Sequence, residues 1–147
     1  MPAYHALMPV IRIIRRSPLA PTEAWGRVTD WERHGAQVPL TRTIIGTPPP
    51  TRVGTRFTAR TGVAGITFDD PMEVVRWEPP RLVRLEKRGR AVTGWAEIEV
   101  RPGPGGGSEV LWREEVRVRG LPRLLDPLTA RVGHALFARA LTRLLRG

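Results

Sequence analysis

Residues 92–119 read VTGWAEIEVRPGPGGGSEVLWREEVRVR, and the fold turns on this stretch. Before the Pro102 to Gly107 break, Val92, Ala96, Ile98 and Val100, with Gly94 among them, alternate with Thr93, Trp95, Glu97 and Glu99. After it, Val110, Trp112, Val116 and Val118 alternate with Leu111, Arg113, Glu115 and Arg117. A period of two marks a half-buried strand, because successive side chains point to opposite faces of the sheet. Glycine and proline between two such runs mark a reversal of the chain. The pair therefore predicts an antiparallel sheet with one apolar face and one wet, charged face.

Upstream, the same grammar repeats over 41–46, 54–61, 66–78 and 81–88, broken by the Thr47 to Pro50 run, Thr61-Gly62, Pro79-Pro80 and Gly89. Six strands at turn-to-turn spacing predict a meander. A first strand over 7–16 carries Val10, Ile11, Ile13 and Ile14 and stops at Ser17-Pro18. Between it and the meander, apolar residues at 24, 25, 28 and 31 follow Pro21 at a helical spacing, and Asp30 is placed to cap a short second helix over 30–36. Downstream, Asp126-Pro127 opens a helix running to Arg146, about 30 Å long at the rise of an α-helix. Its apolar residues form two sets, Leu128, Val132 and Leu136 on one side and Phe137, Ala140, Leu141 and Leu144 roughly opposite. This helix is the expected cover for the apolar face of the sheet, with Leu121, Leu124 and Leu125 leading into its lining half.

Composition closes off several classes of function. At 147 residues the chain is read as one domain spanning 1–147. With 41% hydrophobic and 26% charged residues it is globular in type, not disordered. No apolar run reaches the roughly 20 residues of a membrane-spanning helix, and the first residues lack the pattern of a secretory leader, so a cytoplasmic location is expected. The absence of cysteine excludes disulfides, thiolate metal sites and cysteine nucleophiles. Of the 24 basic residues, Lys87 is the one lysine and the other 23 are arginine. Set against 14 acids these give +10, of which +6 falls between Arg117 and Gly147, where seven arginines face one acid. No basic run is interleaved with aromatics in the manner of single-strand binders, so nucleic acid is not the expected partner. The basic excess reads first as a solvated arginine-coded surface, with an acidic carrier protein, anionic lipid or RNA as the alternative use of its C-terminal part.

Strand, two short helices, six antiparallel strands and a long helix is the order of the helix-grip fold, an α+β architecture whose curved seven-stranded sheet wraps the last helix. Ala24 to Arg33 running to Val38-Pro39, Val53 to Phe57, Met72 to Leu82 and Gly106 to Trp112 also resemble the SRPBCC or START-like superfamily. That superfamily includes polyketide cyclase/dehydrase-like proteins, coenzyme-Q-binding proteins and plant pollen allergens. The resemblance covers essentially the whole chain and speaks to fold more than to function. It implies a cavity between sheet and helix for a lipid, isoprenoid, polyketide-like or other apolar ligand.

By strand parity the residues expected to line such a cavity are Phe57, Ala59, Phe68, Met72, Val74, Val83, Leu85, Gly94, Ala96, Ile98 and Trp112, joined by Leu128, Val132 and Leu136 from the helix. Small residues at the centre of a concave face leave room that a close-packed core would fill. Chemistry there would fall to polar groups facing inward. Glu114 shares parity with Trp112 and Val116, and burial would raise its pKa toward acid–base use. Arg76 and Asp70 share parity with Met72 and Val74, and either would be placed to pair with Glu114; Val75 and Trp77 are also apolar, however, which allows the strand to change face near 75 and speaks against Arg76. His34, by the second short helix near the expected mouth, is a third acid–base candidate. No two histidines stand at a ligand spacing, no phosphate-binding glycine motif is present, and neither Ser17 nor Ser108 has a base nearby in sequence. No metal or cofactor is therefore expected. The leading reading is a binder of a small hydrophobic or aromatic molecule. The alternative is a polyketide aromatase/cyclase in which Glu114, Arg76 and His34 catalyse aldol cyclisation and dehydration. Nothing in the sequence sets the oligomeric state.

Overall fold

The computed structural model describes residues 10–63, 65–90, 92–120 and 126–146. The expected start of the first strand at 7–9 and the leucines at 121, 124 and 125 lie outside these residues. The elements run β1 (Ile11–Ser17), α1 (Pro21–Val28), α2 (Trp31–Ala36), β2 (Thr41–Ile45), β3 (Arg56–Val63), β4 (Ile66–Glu78), β5 (Leu82–Arg88), β6 (Val92–Pro102), β7 (Ser108–Val118) and α3 (Asp126–Arg146). The strands form one antiparallel sheet in the order β1-β7-β6-β5-β4-β3-β2, so the first strand closes against the last. Six strands follow in meander and α3 crosses the concave face, which is the helix-grip arrangement.

The charged face follows the predicted parity. Glu97 lies between Arg84 and Arg113 at 3.3 and 2.8 Å, Arg60 engages Asp69 at 2.8 Å, and the Arg84 guanidinium sits 4.6 Å from the Trp95 ring centroid. Most of the arginine excess on the sheet is thus paired at the surface, where such contacts contribute little each.

The apolar face is packed at one end and open at the other. The packed end is set by a bulge in β4, where the register with β5 shifts between Val74 and Arg76. The extra residue, Val75, turns Trp77 inward, and its ring meets Trp25 of α1 at 5.1 Å. Around this contact Ala24, Val28, Val74, Val83, Val100, Val110 and Leu141 are buried in one core. Of the two apolar sets on α3, the second is the buried one: Ala140, Leu141 and Leu144 are almost fully covered, and Phe137 packs against the core. The helix rests on β1, α1 and α2. The strands farther along the sheet are left without a close-packed cover.

At that open end α2 is clamped to β2. The Thr43 hydroxyl donates to the Trp31 carbonyl at 2.6 Å, and the Asp30 carboxylate accepts from the Arg33 N–H at 3.3 Å as the cap. The approach tolerates no side chain at Gly35, where a Cβ would stand 2.3 Å from Thr43 Oγ1. This contact carries Trp31 and His34 to the rim of the concave face.

Candidate functional site

A cavity of about 410 Å³ lies between the open half of the sheet, α2 and the middle of α3. Every strand from β2 to β7 contributes to its wall. Phe57, Ala59, Phe68, Met72, Leu85, Ala96, Ile98, Trp112 and Leu136 line it as expected, together with Thr43, Thr61, Val92, Val116, Phe137 and Ala140. One wall is a run of rings in contact. Phe57 stacks on Trp31 at 4.7 Å, Trp31 meets His34 at 5.4 Å, His34 meets Trp112 at 5.2 Å, and Trp112 stacks on Phe137 at 5.4 Å. Such rings present a large, continuous apolar surface to the space.

The charged groups of the lining, Asp70, Lys87 and Glu114, form one cluster. Glu114, on the inward face of β7, is 2% exposed. Its Oε1 stands 3.2 Å from the Nζ of Lys87, which also donates to Asp70 Oδ2 at 2.6 Å. Burial pushes the Glu114 carboxyl above its ordinary value, against the opposing pull of Lys87. Burial alone would lower the Lys87 ammonium, but Glu114 and Asp70 outweigh it and hold the ammonium above its ordinary value. The lysine is therefore a fixed positive charge and not a neutral amine. Asp70 Oδ1, Glu114 Oε2 and Trp112 Nε1 are buried with no hydrogen bond of good geometry among the described residues. The Trp112 N–H lies near enough to the Glu114 carboxyl to draw its pKa down weakly, the smallest of the influences on it.

His34 is half-buried within α2. Its Nε2 donates to the Val28 carbonyl, which fixes the proton on that nitrogen in the neutral ring and leaves Nδ1 as an acceptor. Burial lowers its pKa from the ordinary 6.5, with the Val28 bond and Asp30 opposing.

Other expected positions lie elsewhere. Arg76 does not enter the cavity: the bulge at Val75 puts it on the outer face, half exposed and paired with Glu78. Val74 and Val83 point inward but belong to the packed core. Gly94 lies beneath the cluster, opposite Lys87 across β5–β6, and does not line the cavity. Leu128 and Val132 are 58% and 52% exposed, on the same side of α3 as Leu136 but two turns and one turn nearer its start. Strand parity places Asp70 inward, as found, but the same reasoning passes over Lys87. Its shared parity with Val83 and Leu85 is the available signal.

The arginines of α3, Arg131, Arg139, Arg143 and Arg146, are exposed and make no ion pair among the described residues. No helix of the described residues is long and apolar enough to cross a membrane, and no cluster of three or more metal-ligating side chains occurs among them.

Solved structures share this architecture at low identity. The crystal structure of TTHA0849 from Thermus thermophilus superposes with a TM-score of 0.76 at 17% identity, over 94% of this chain and 95% of that one. A START superfamily protein from Mycobacterium smegmatis gives 0.72 at 11% identity, over 93% and 97%. CV1439 from Chromobacterium violaceum gives 0.71 at 14%, over 93% and 95%. At such identities the likeness speaks for the fold alone. No curated protein matches the chain significantly in sequence. The profile of one family does, over residues 8–146: the chain belongs to the polyketide cyclase/dehydrase and lipid transport family, within the SRPBCC or START-like superfamily.

Proposed function

We propose that this protein binds a small hydrophobic or aromatic molecule of lipid, isoprenoid or polyketide-like character, held between the curved sheet and α3. The observation that carries this reading is the cavity itself, about 410 Å³ of space lined by aromatic and aliphatic side chains, with its charged groups confined to one cluster. A core meant only for stability closes such space, since voids of this size weaken packing. Family membership is consistent with the same use. Native mass spectrometry of the purified protein, joined to displacement of an uncharged fluorescent apolar probe, is the test. Retention of a small apolar molecule or micromolar probe uptake is expected, and absence of both overturns the reading.

A second reading, acid–base catalysis on the bound molecule, is favoured by Glu114. In its acid form it would give its proton to a carbonyl oxygen as an enol carbon attacks the carbonyl carbon, the enol hydroxyl losing its own proton to water. As the carboxylate it would then take the α-proton and pass it to the β-hydroxyl, which leaves as water while the C=C bond forms. Lys87 would hold the carboxylate that forms on Glu114 as the proton leaves, and enclosure would supply orientation. Unchanged product distribution from Glu114→Gln in a reconstituted polyketide synthase would remove this assignment.

A further inference from the structure

The polar cluster is not neutral ground, and its charge and hydrogen-bonding capacity restrict the head group of any ligand. Lys87 Nζ already has Asp70 Oδ2 at 2.6 Å and Glu114 Oε1 at 3.2 Å, with Met72 Sδ at 3.9 Å as a third neighbour. A ligand carboxylate or phosphate arriving here is a third acid around one ammonium. Moving an anion out of water without a free counter-charge is strongly unfavourable.

The unused groups are of two kinds. Asp70 Oδ1 and Glu114 Oε2 are acceptors, and the Trp112 indole N–H is a donor. Glu114 and Trp112 are 2% and 5% exposed, and both line the cavity. An ammonium head group engages the two oxygens and leaves the indole N–H facing a cation. A hydroxyl serves both kinds, giving its proton to a carboxylate oxygen and accepting from the indole. If Glu114 carries its own proton, the hydroxyl oxygen accepts that as well.

We propose that the site selects an uncharged, largely apolar ligand bearing an alcohol or phenol hydroxyl, seated between Trp112 and the Asp70–Lys87–Glu114 cluster, and rejects carboxylate-headed molecules of the same shape. The proposal rests on the ligand-binding reading above and adds to it the charge and chemistry of the head group. The composition points the same way. In a chain whose other 23 basic residues are arginine, this position holds lysine, a compact point charge that two carboxyls can enclose and that leaves the remaining space open.

The test uses three probes of one shape, 4-phenylphenol, biphenyl-4-carboxylate and 4-phenylbenzylamine, titrated calorimetrically at neutral pH. The phenol is expected to bind at least about 30-fold tighter than the carboxylate and about 10-fold tighter than the amine. In the Asp70→Asn/Glu114→Gln variant, with folding verified by circular dichroism, Lys87 is left unneutralised and the preference for phenol over carboxylate should close or invert. Carboxylate or amine binding equal to or tighter than phenol in the wild type overturns the head-group proposal and leaves the cavity reading standing. An unchanged preference in the folded double variant also overturns it. Binding of none of the three overturns both. If the double variant does not fold, the wild-type series decides alone.

Discussion

Lys87 and Glu114 meet at 3.2 Å although their strands, β5 and β7, are not neighbours in the sheet. β6 runs between them, and at the two positions under the contact it carries Gly94, opposite Lys87, and Ala96, opposite Glu114. Larger side chains there would stand in the path of the lysine. The ion pair thus depends on two small residues, one of which, Ala96, also lines the cavity.

Removing one member of the cluster is worse than removing its charges together. Lys87→Met strands two carboxyls in a low-dielectric pocket and is expected to cost ~3–5 kcal/mol in chemical denaturation. Adding Asp70→Asn and Glu114→Gln to Lys87→Met should recover most of that loss. Equal stability of the single and triple variants would speak against a charge cluster.

Gly94 has a φ of +131°, and a Cβ there would lie 1.8 Å from the Glu115 carbonyl oxygen. Gly94→Ala is therefore expected to destabilise by at least ~2 kcal/mol, read as a drop in melting temperature. A wild-type melting temperature would mean that β6 and β7 are not held in this register.

The buried titratable groups give opposite pH signatures. The lowered pKa of His34 means that, below its ordinary 6.5, the unfolded chain binds a proton that the folded one resists, so stability falls as pH drops through that region. Glu114 acts the other way. Its raised pKa means that the folded chain holds the extra proton above the ordinary 4.5, so its contribution is full at low pH and is lost as pH rises through the folded value. Denaturation of the wild type across mildly acidic pH, set beside His34→Gln and Glu114→Gln, resolves the two. The first variant should flatten the acid loss and the second should deepen it. A profile unaltered by either would contradict their burial.

Filling the cavity should abolish uptake without loss of fold. Ala59 lines it from β3 and is only half-buried, so Ala59→Phe has room to enter the space. Probe affinity is expected to fall at least about 10-fold with the circular dichroism spectrum unchanged. Undiminished affinity would place the probe elsewhere.

Much of the fold and part of the site are legible from alternation alone. Parity separates the two faces of β6 and β7, and it puts Glu114 and Asp70 inside. Three features escape it for physical reasons. Arg76 follows a bulge, and one inserted residue reverses parity for the rest of the strand; the apolar Val75 and Trp77, out of step with Val74, are the trace it leaves in the sequence. Lys87 is submerged in a count of surface charge, although Val83 and Leu85 share its face. On α3 both apolar sets are compatible with burial, and only the docking of the helix on β1 and α1 selects Leu141 and Leu144 over Leu128 and Val132. That choice depends on tertiary geometry, which no helical periodicity contains.

The most direct test of the central claim is a crystal structure of the protein soaked with 4'-bromo-4-hydroxybiphenyl, with the bromine located by anomalous scattering. A single strong peak is expected inside the cavity, between the ring wall from Phe57 to Phe137 and the strands of the open half of the sheet. A cavity closed by its own side chains, with bromine only on the outer surface, would contradict it.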